Sequence, residues 1–193
     1  MHHILPFVLC CFSMVLSTPA QVDTLKLKFP QNVTLPTKFR NAIKEQKSEY
    51  NRLCSKDSTT TKHYSAKFML KKIDTDSNYD YIFLAEYWIA FHYKEIIPDL
   101  IKRITNKTEV GLVNTFDLII WERIKTGDLE FYGHGEVSDD DLFTIAGRAN
   151  YLLKAITGEQ FGIVSMKSSK KSLTALQNKW LKWLQSLHAN NNC

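Results

Sequence analysis

Seven apolar residues at helical spacing, Leu142, Ile145, Ala146, Ala149, Leu152, Leu153 and Ile156, run up to Thr157-Gly158 and constrain this chain more than any other stretch. Residues three and four apart share one side of an α-helix, so the set forms a broad apolar face that must be buried. Gly158 is the expected stop, because glycine enters the left-handed cap conformation without a steric penalty. Gly147 falls inside the helix, where glycine costs about 1 kcal/mol relative to alanine. Close approach of a neighbouring helix is the expected compensation. Arg148 and Lys154 are expected to look outward, with Arg148 in reach of an acid on the preceding helix.

Other segments carry the same period. His63–Ile73 reads as a short helix with Phe68, Met69 and Ile73 inward. Tyr79–Tyr93 is apolar around most of its circumference, which marks a central helix. Glu95–Thr105 follows, with Ile96, Ile97, Leu100, Ile101 and Ile104 on one stripe and Pro98 at a first-turn or kink position. Asn114-Thr115-Phe116-Asp117 resembles a capping box ahead of a helix bearing Leu118, Ile119, Trp121 and Ile124, stopped by Gly127. After a basic loop over Ser165–Ser172, a last amphipathic helix carries Leu173, Leu176, Trp180, Trp183, Leu184 and Leu187.

Period two occurs in Asp23–Pro30, where Leu25, Leu27 and Phe29 alternate with Lys26 and Lys28, the pattern of a short strand or extended arm. Lys38–Cys54 reads as a surface helix and Ser55–Thr61 as a polar linker. The fold class expected from these patterns is all-α: stacked antiparallel helix pairs with a short extended N-terminal arm. The expected division is a leader at 1–20, the arm, surface helix and linker at 21–77, a helical domain at 78–188 and a polar tail at 189–193.

Ile4–Leu16 is almost wholly apolar and too short to span a bilayer. Small residues follow at Ser17-Thr18-Pro19-Ala20. The pattern is that of a signal peptide cleaved after Ala20, which implies a secreted or periplasmic protein and no transmembrane helix in the mature chain. Cys54 and Cys193 would remain, and an oxidising compartment permits either a disulfide between them or two free thiols. The tripeptides Asn32-Val33-Thr34 and Asn106-Lys107-Thr108 match glycosylation sequons, which matter only in a eukaryotic host.

The net charge of +5 is uneven: +6 over residues 21–77, −3 over 78–135 and +2 over 136–193. The lysines are dispersed without a long run, the pattern of solvated helix faces, and no nucleic-acid partner is expected. No CxxC pair, zinc spacing or HExxH motif occurs, so neither a metal nor a cofactor is expected. Asp74–Asn78 spaces its acids as a calcium loop does, but the glycine turn and distal Glu are missing.

One stretch has chemistry in reach. In Asp128–Asp141, His134 lies between Gly133 and Gly135, and Asp139, Asp140 and Asp141 follow in a row. A histidine with carboxylates can hold a divalent metal or move protons. Glu86 and His92 are further candidates for such a site. The simpler reading is a helix start: Ser138 and Asp141 at capping-box spacing, with acids placed to complement the helix dipole.

The string Ala149…Leu152-Leu153…Ile156-Thr157-Gly158-Glu159-Gln160-Phe161-Gly162, followed by Trp180-x-x-Trp183, resembles the closing unit of bacterial HEAT-repeat-like proteins. In that family a helix ends in a TGxxFG turn and a Trp-x-x-Trp helix caps the stack. Here Ile163–Ser172 separates turn and helix, which the family joins closely. The resemblance covers roughly residues 79–187 and implies a short helical solenoid, with Gly158, Phe161, Gly162, Trp180 and Trp183 in structural roles.

Three functions are compatible with these features. The first is an exported, non-enzymatic helical-repeat domain that binds another macromolecule, most simply a protein. The second is a metal-dependent or acid–base hydrolase using His134 and Asp139–Asp141. The third is an inhibitor or immunity-type protein that covers a partner's active site with the acidic loop. The oligomeric state is left open.

Overall fold

The computed structural model describes residues 27–35 and 65–189, apart from 79, 114, 116, 117 and 132, and the side chains of 80–87 and 90. The leader, the expected surface helix and linker at 38–61, Cys54, Cys193 and the Glu86 side chain all lie outside what is described. The protein is mostly helical. Among the described residues there are five helices: α1 (Ala66–Thr75), α2 (Asp80–Arg103), α3 (Trp121–Thr126), α4 (Ile145–Thr157) and α5 (Lys170–Ala189). A two-stranded parallel sheet pairs β1 (Leu118–Ile119) with β2 (Glu136–Val137). No helix among the described residues is long and apolar enough to cross a membrane.

Helix α4 is central. Thr144 caps its start, its side chain accepting from the Gly147 N–H at 3.1 Å, and Gly158 ends it in the left-handed conformation at φ 75°. All seven residues of the expected apolar face are buried, six within the helix and Leu142 in the turn before it, and so is most of the remaining circumference. The helix packs along α2, and α1 touches both. Gly147 has its compensation, though from a loop: a Cβ there would lie 1.9 Å from the Asp141 carbonyl oxygen, so the chain segment before the helix occupies the space a side chain needs.

Helix α2 joins what the sequence divides into two helices. It is kinked at His92, where φ is −119° and ψ is 20°. Pro98 lies inside it and cannot donate to the Lys94 carbonyl one turn back, which loosens the ladder just after the kink. The Lys94 ammonium reaches across to the Gln31 carbonyl, tying the N-terminal arm to this point. Of the expected arm, the described residues 27–30 form no strand and lead into a turn where the Val33 N–H donates to the Pro30 carbonyl. Phe29 inserts into the core, edge-on to Tyr93 at 5.3 Å and tilted against Trp183 at 6.4 Å. Phe29, Leu35 and α1 share one core with α2, α4 and α5.

The expected helix from Asn114 to Gly127 is shortened. Leu118, Ile119 and Ile120 are all buried, and three consecutive residues cannot share one side of a helix. They run extended instead, β1 pairing in register Leu118↔Glu136 and Ile119↔Val137, and α3 begins only after Ile120. Gly127 does stop that helix, at φ 81°.

Helix α5 closes the fold over α2. Leu173, Leu176, Trp180, Leu181 and Leu184 are buried. Phe161, in the turn after Gly158, meets Trp180 edge-on at 4.7 Å, and Trp180 meets Trp183 edge-on at 5.7 Å. Such perpendicular pairs add roughly 0.5–1.5 kcal/mol each beyond area burial.

Candidate functional site

The acidic run Asp139–Asp141 divides among three environments. Asp139 is exposed, while Asp140 and Asp141 are buried. Asp141 does not cap α4. Its two oxygens accept from Arg123 Nε and Nη2 at 2.9 and 2.8 Å, and its Oδ1 accepts from the Phe143 N–H. Ser138 is not a helix cap either: its hydroxyl donates to the Asp140 carbonyl and accepts from the Asp140 N–H, closing a tight turn. Thr144 takes the capping role that the spacing Ser138/Asp141 suggests.

Arg123 is the centre of this cluster. It also donates to Glu109 at 2.9 Å and Asp128 at 3.2 Å, and its guanidinium lies 4.5 Å from the Phe143 ring centre. Burial opposes the arginine's charge, but the bonds to Asp141 and Glu109 outweigh burial and raise its pKa above the ordinary value. Hydrogen bonds from Thr126 and Arg123 hold the Asp128 carboxyl below the ordinary carboxylate range.

Asp140 heads a second network. Its Oδ1 accepts from Asn150 Nδ2 and the Val164 N–H, each at 2.8 Å. Its Oδ2 lies 2.6 Å from Lys154 Nζ, an ion-pair contact without hydrogen-bond alignment. Lys154 therefore turns inward rather than outward. Burial is the largest influence on Asp140 and pushes its carboxyl up, against the pull of Lys154 and Asn150. Asn150 also donates to the Gly162 carbonyl at 3.0 Å and accepts from the Trp180 indole N–H at 2.9 Å. One buried amide thus joins the acid run, the TGEQFG turn and the closing helix.

Arg148, expected at the surface, is 1% exposed. Its guanidinium donates to four backbone carbonyls: Leu142, Ile73, Asp76 and Gly111, at 2.6–2.9 Å. Burial pulls its pKa down to about 10, with Asp76 and Asp74 acting the other way. Burial also opposes ionisation of Asp76, but bonds from Lys72 and the Asn78 N–H prevail and leave its carboxyl below the ordinary range.

His134 is exposed and forms no hydrogen bond or ion pair with a described residue. His92, the other histidine candidate, stacks on Trp88 with ring centres 4.0 Å apart at 9° and lies 3.9 Å from Glu95. Among the described residues, no group of three or more His, Cys, Asp or Glu side chains is arranged to hold a metal ion. Asp140 and Asp141 are thus engaged with Asn150, Lys154 and Arg123, Asp139 stands exposed, and no described contact joins the three to His134.

A different feature stands at the surface beside them. Trp121, the first residue of α3, and Phe131, in the loop before β2, lie with ring centres 5.4 Å apart. Val137 is exposed too, and its register partner Ile119 is two residues from Trp121. Periodicity does not reveal this pair, because its two rings meet across a loop. Neither family models, curated proteins nor solved structures match this chain.

Proposed function

We propose that this is an exported, non-enzymatic binding protein: a short helical stack, HEAT-like in its closing turn and Trp helix, that presents the Trp121–Phe131 face to another protein. The observation that carries the reading is a contrast. The buried ionisable groups near the acidic run are held in structural bonds, while two large aromatic rings stay half exposed and in contact with each other. Exposed aromatic pairs are enriched where proteins meet proteins. The apolar leader and Ala20 support export, and the edge-to-face series Phe161–Trp180–Trp183 supports a capped helical stack.

The experiment is site-specific photo-cross-linking. A photoreactive residue replaces Phe131 in one preparation and Lys182, an exposed residue of α5, in another. Adducts with a defined protein of the host that form from position 131, fail from 182 and vanish on Trp121→Ser support the reading. Equal labelling from both positions overturns it. So does a hydrolytic activity of the purified chain that His134→Ala or Asp139→Asn abolishes.

A further inference from the structure

We infer that the Trp121–Phe131 face takes a cationic segment of its partner, one in which lysine or arginine side chains alternate with apolar ones; this rests on the binding reading above. The rings are 49% and 51% exposed and in contact with each other, so an apolar contact surface is already formed. A tryptophan face attracts an ammonium or guanidinium group held above it.

The charge of the segment that carries the rings is mainly negative. Residues 121–139 hold five acids, Glu122, Asp128, Glu130, Glu136 and Asp139, against Arg123 and Lys125, within a chain whose net charge is +5. Arg123 does not offset them at the surface. It is buried and holds three carboxylates, Asp141, Glu109 and Asp128, of which the last two are exposed. One guanidinium neutralises one of them, so the surface keeps the excess negative charge. An acidic segment that carries exposed aromatics, on an otherwise basic chain, favours a basic partner and steers its approach. A symmetric second copy is disfavoured, since a two-fold contact would set one acidic segment against the other.

Two synthetic peptides with the same apolar residues test this, one carrying Lys and Arg and the other Glu at the remaining positions. Each is titrated into the full chain by fluorescence anisotropy at low and physiological ionic strength. The basic peptide alone is expected to bind, more weakly at the higher salt. Trp121→Ser with Phe131→Ser is expected to weaken it about 30-fold, the scale of a central aromatic anchor. Glu130→Lys with Glu136→Lys is expected to abolish the salt dependence, with an unchanged thermal midpoint showing that the fold survives. Equal binding of the two peptides, binding of neither, or undiminished binding by the double Ser variant overturns the inference. So does a dimer in sedimentation that the double Ser variant dissociates. If position 131 cross-links a host protein while the basic peptide fails to bind, the cationic assignment falls and the binding reading stands.

Discussion

Arg123 and Asp141 meet through two parallel hydrogen bonds, Nε to Oδ1 at 2.9 Å and Nη2 to Oδ2 at 2.8 Å, and both side chains are almost wholly out of water. A bidentate pair of this kind fixes direction as well as distance. It anchors α3 to the segment entering α4, and so holds the base on which Trp121 stands. Replacing Asp141 with Asn leaves a buried guanidinium short of its main counter-charge, at an expected cost of about 3–5 kcal/mol. The paired change Arg123→Leu with Asp141→Leu is expected to recover most of that loss, because no charge is then stranded. Urea unfolding of the three variants checks both statements; a single Asn variant as stable as the parent would contradict the pairing.

Gly147 separates helix propensity from packing. By propensity alone, Gly147→Ala should stabilise α4 by about 1 kcal/mol. The Asp141 carbonyl oxygen, 1.9 Å from where the Cβ would sit, reverses the sign, because backbone cannot yield as a flexible side chain can. The alanine variant is expected to lose about 3 kcal/mol or more, in the upper range for overpacked sites. A raised thermal midpoint would show that the close approach is not there.

Asn150 serves three partners at once: Asp140, the Gly162 carbonyl and the Trp180 indole N–H. Asn150→Ala leaves each without this partner in a dry site, where a lost hydrogen bond costs about 1–3 kcal/mol. The expected result is a loss of about 3 kcal/mol, with the Trp180 emission shifted to the red as water enters. Thr174→Ala, at an exposed position of α5, serves as the comparison and is expected to change little.

Two carboxyls give the stability opposite responses to pH. Asp76 has its folded pKa below the ordinary 3.8, so its stabilisation is present above that value and is lost as pH falls through the lowered one. Asp140 has its folded pKa above 3.8, so the fold binds its proton more readily than the open chain does. Its contribution therefore weakens as pH rises from 3.8 through the raised value. Asp76→Asn is expected to flatten the acid limb of the stability profile, and Asp140→Asn the decline above it. Denaturant midpoints from pH 2 to pH 7 test this, and an Asp140→Asn profile that parallels the parent's would refute the second half.

The chain's apolar periods carry much of the fold. Six residues of α4's face, the stripe Ile96–Ile104 and Leu173, Leu176, Trp180 and Leu184 of α5 are buried where spacing puts them, because burial of a continuous face is a local, repeating demand. Polar residues are less legible, since their partners come from distant sequence. Arg148 stands three residues after Ile145 and four before Leu152, so its spacing puts it on the buried side. Its charge suggests solvent, and only the carbonyls of Ile73, Asp76 and Gly111 explain why it is inside. Likewise, Asp139-Asp140-Asp141 reads as a helix start until Arg123 and Lys154 are seen to claim two of the acids. Leu118–Ile120 shows tertiary pairing overriding a plausible cap, as β2 supplies a partner that no local pattern announces.

Arg148 also sets an order of events. The carbonyls it gathers belong to the end of α1, to the turn at Gly111 and to the approach to α4, and the farthest lies 75 residues upstream. During synthesis at roughly 5–20 residues per second, α1 therefore waits several seconds for the residue that fastens it. Until then, Met69 and Ile73 have no finished core to enter, and a nascent chain of this length offers them to whatever chaperone stands nearby. A chain truncated before Arg148 is expected to remain cleavable within α1 by a low dose of protease, where the full chain resists.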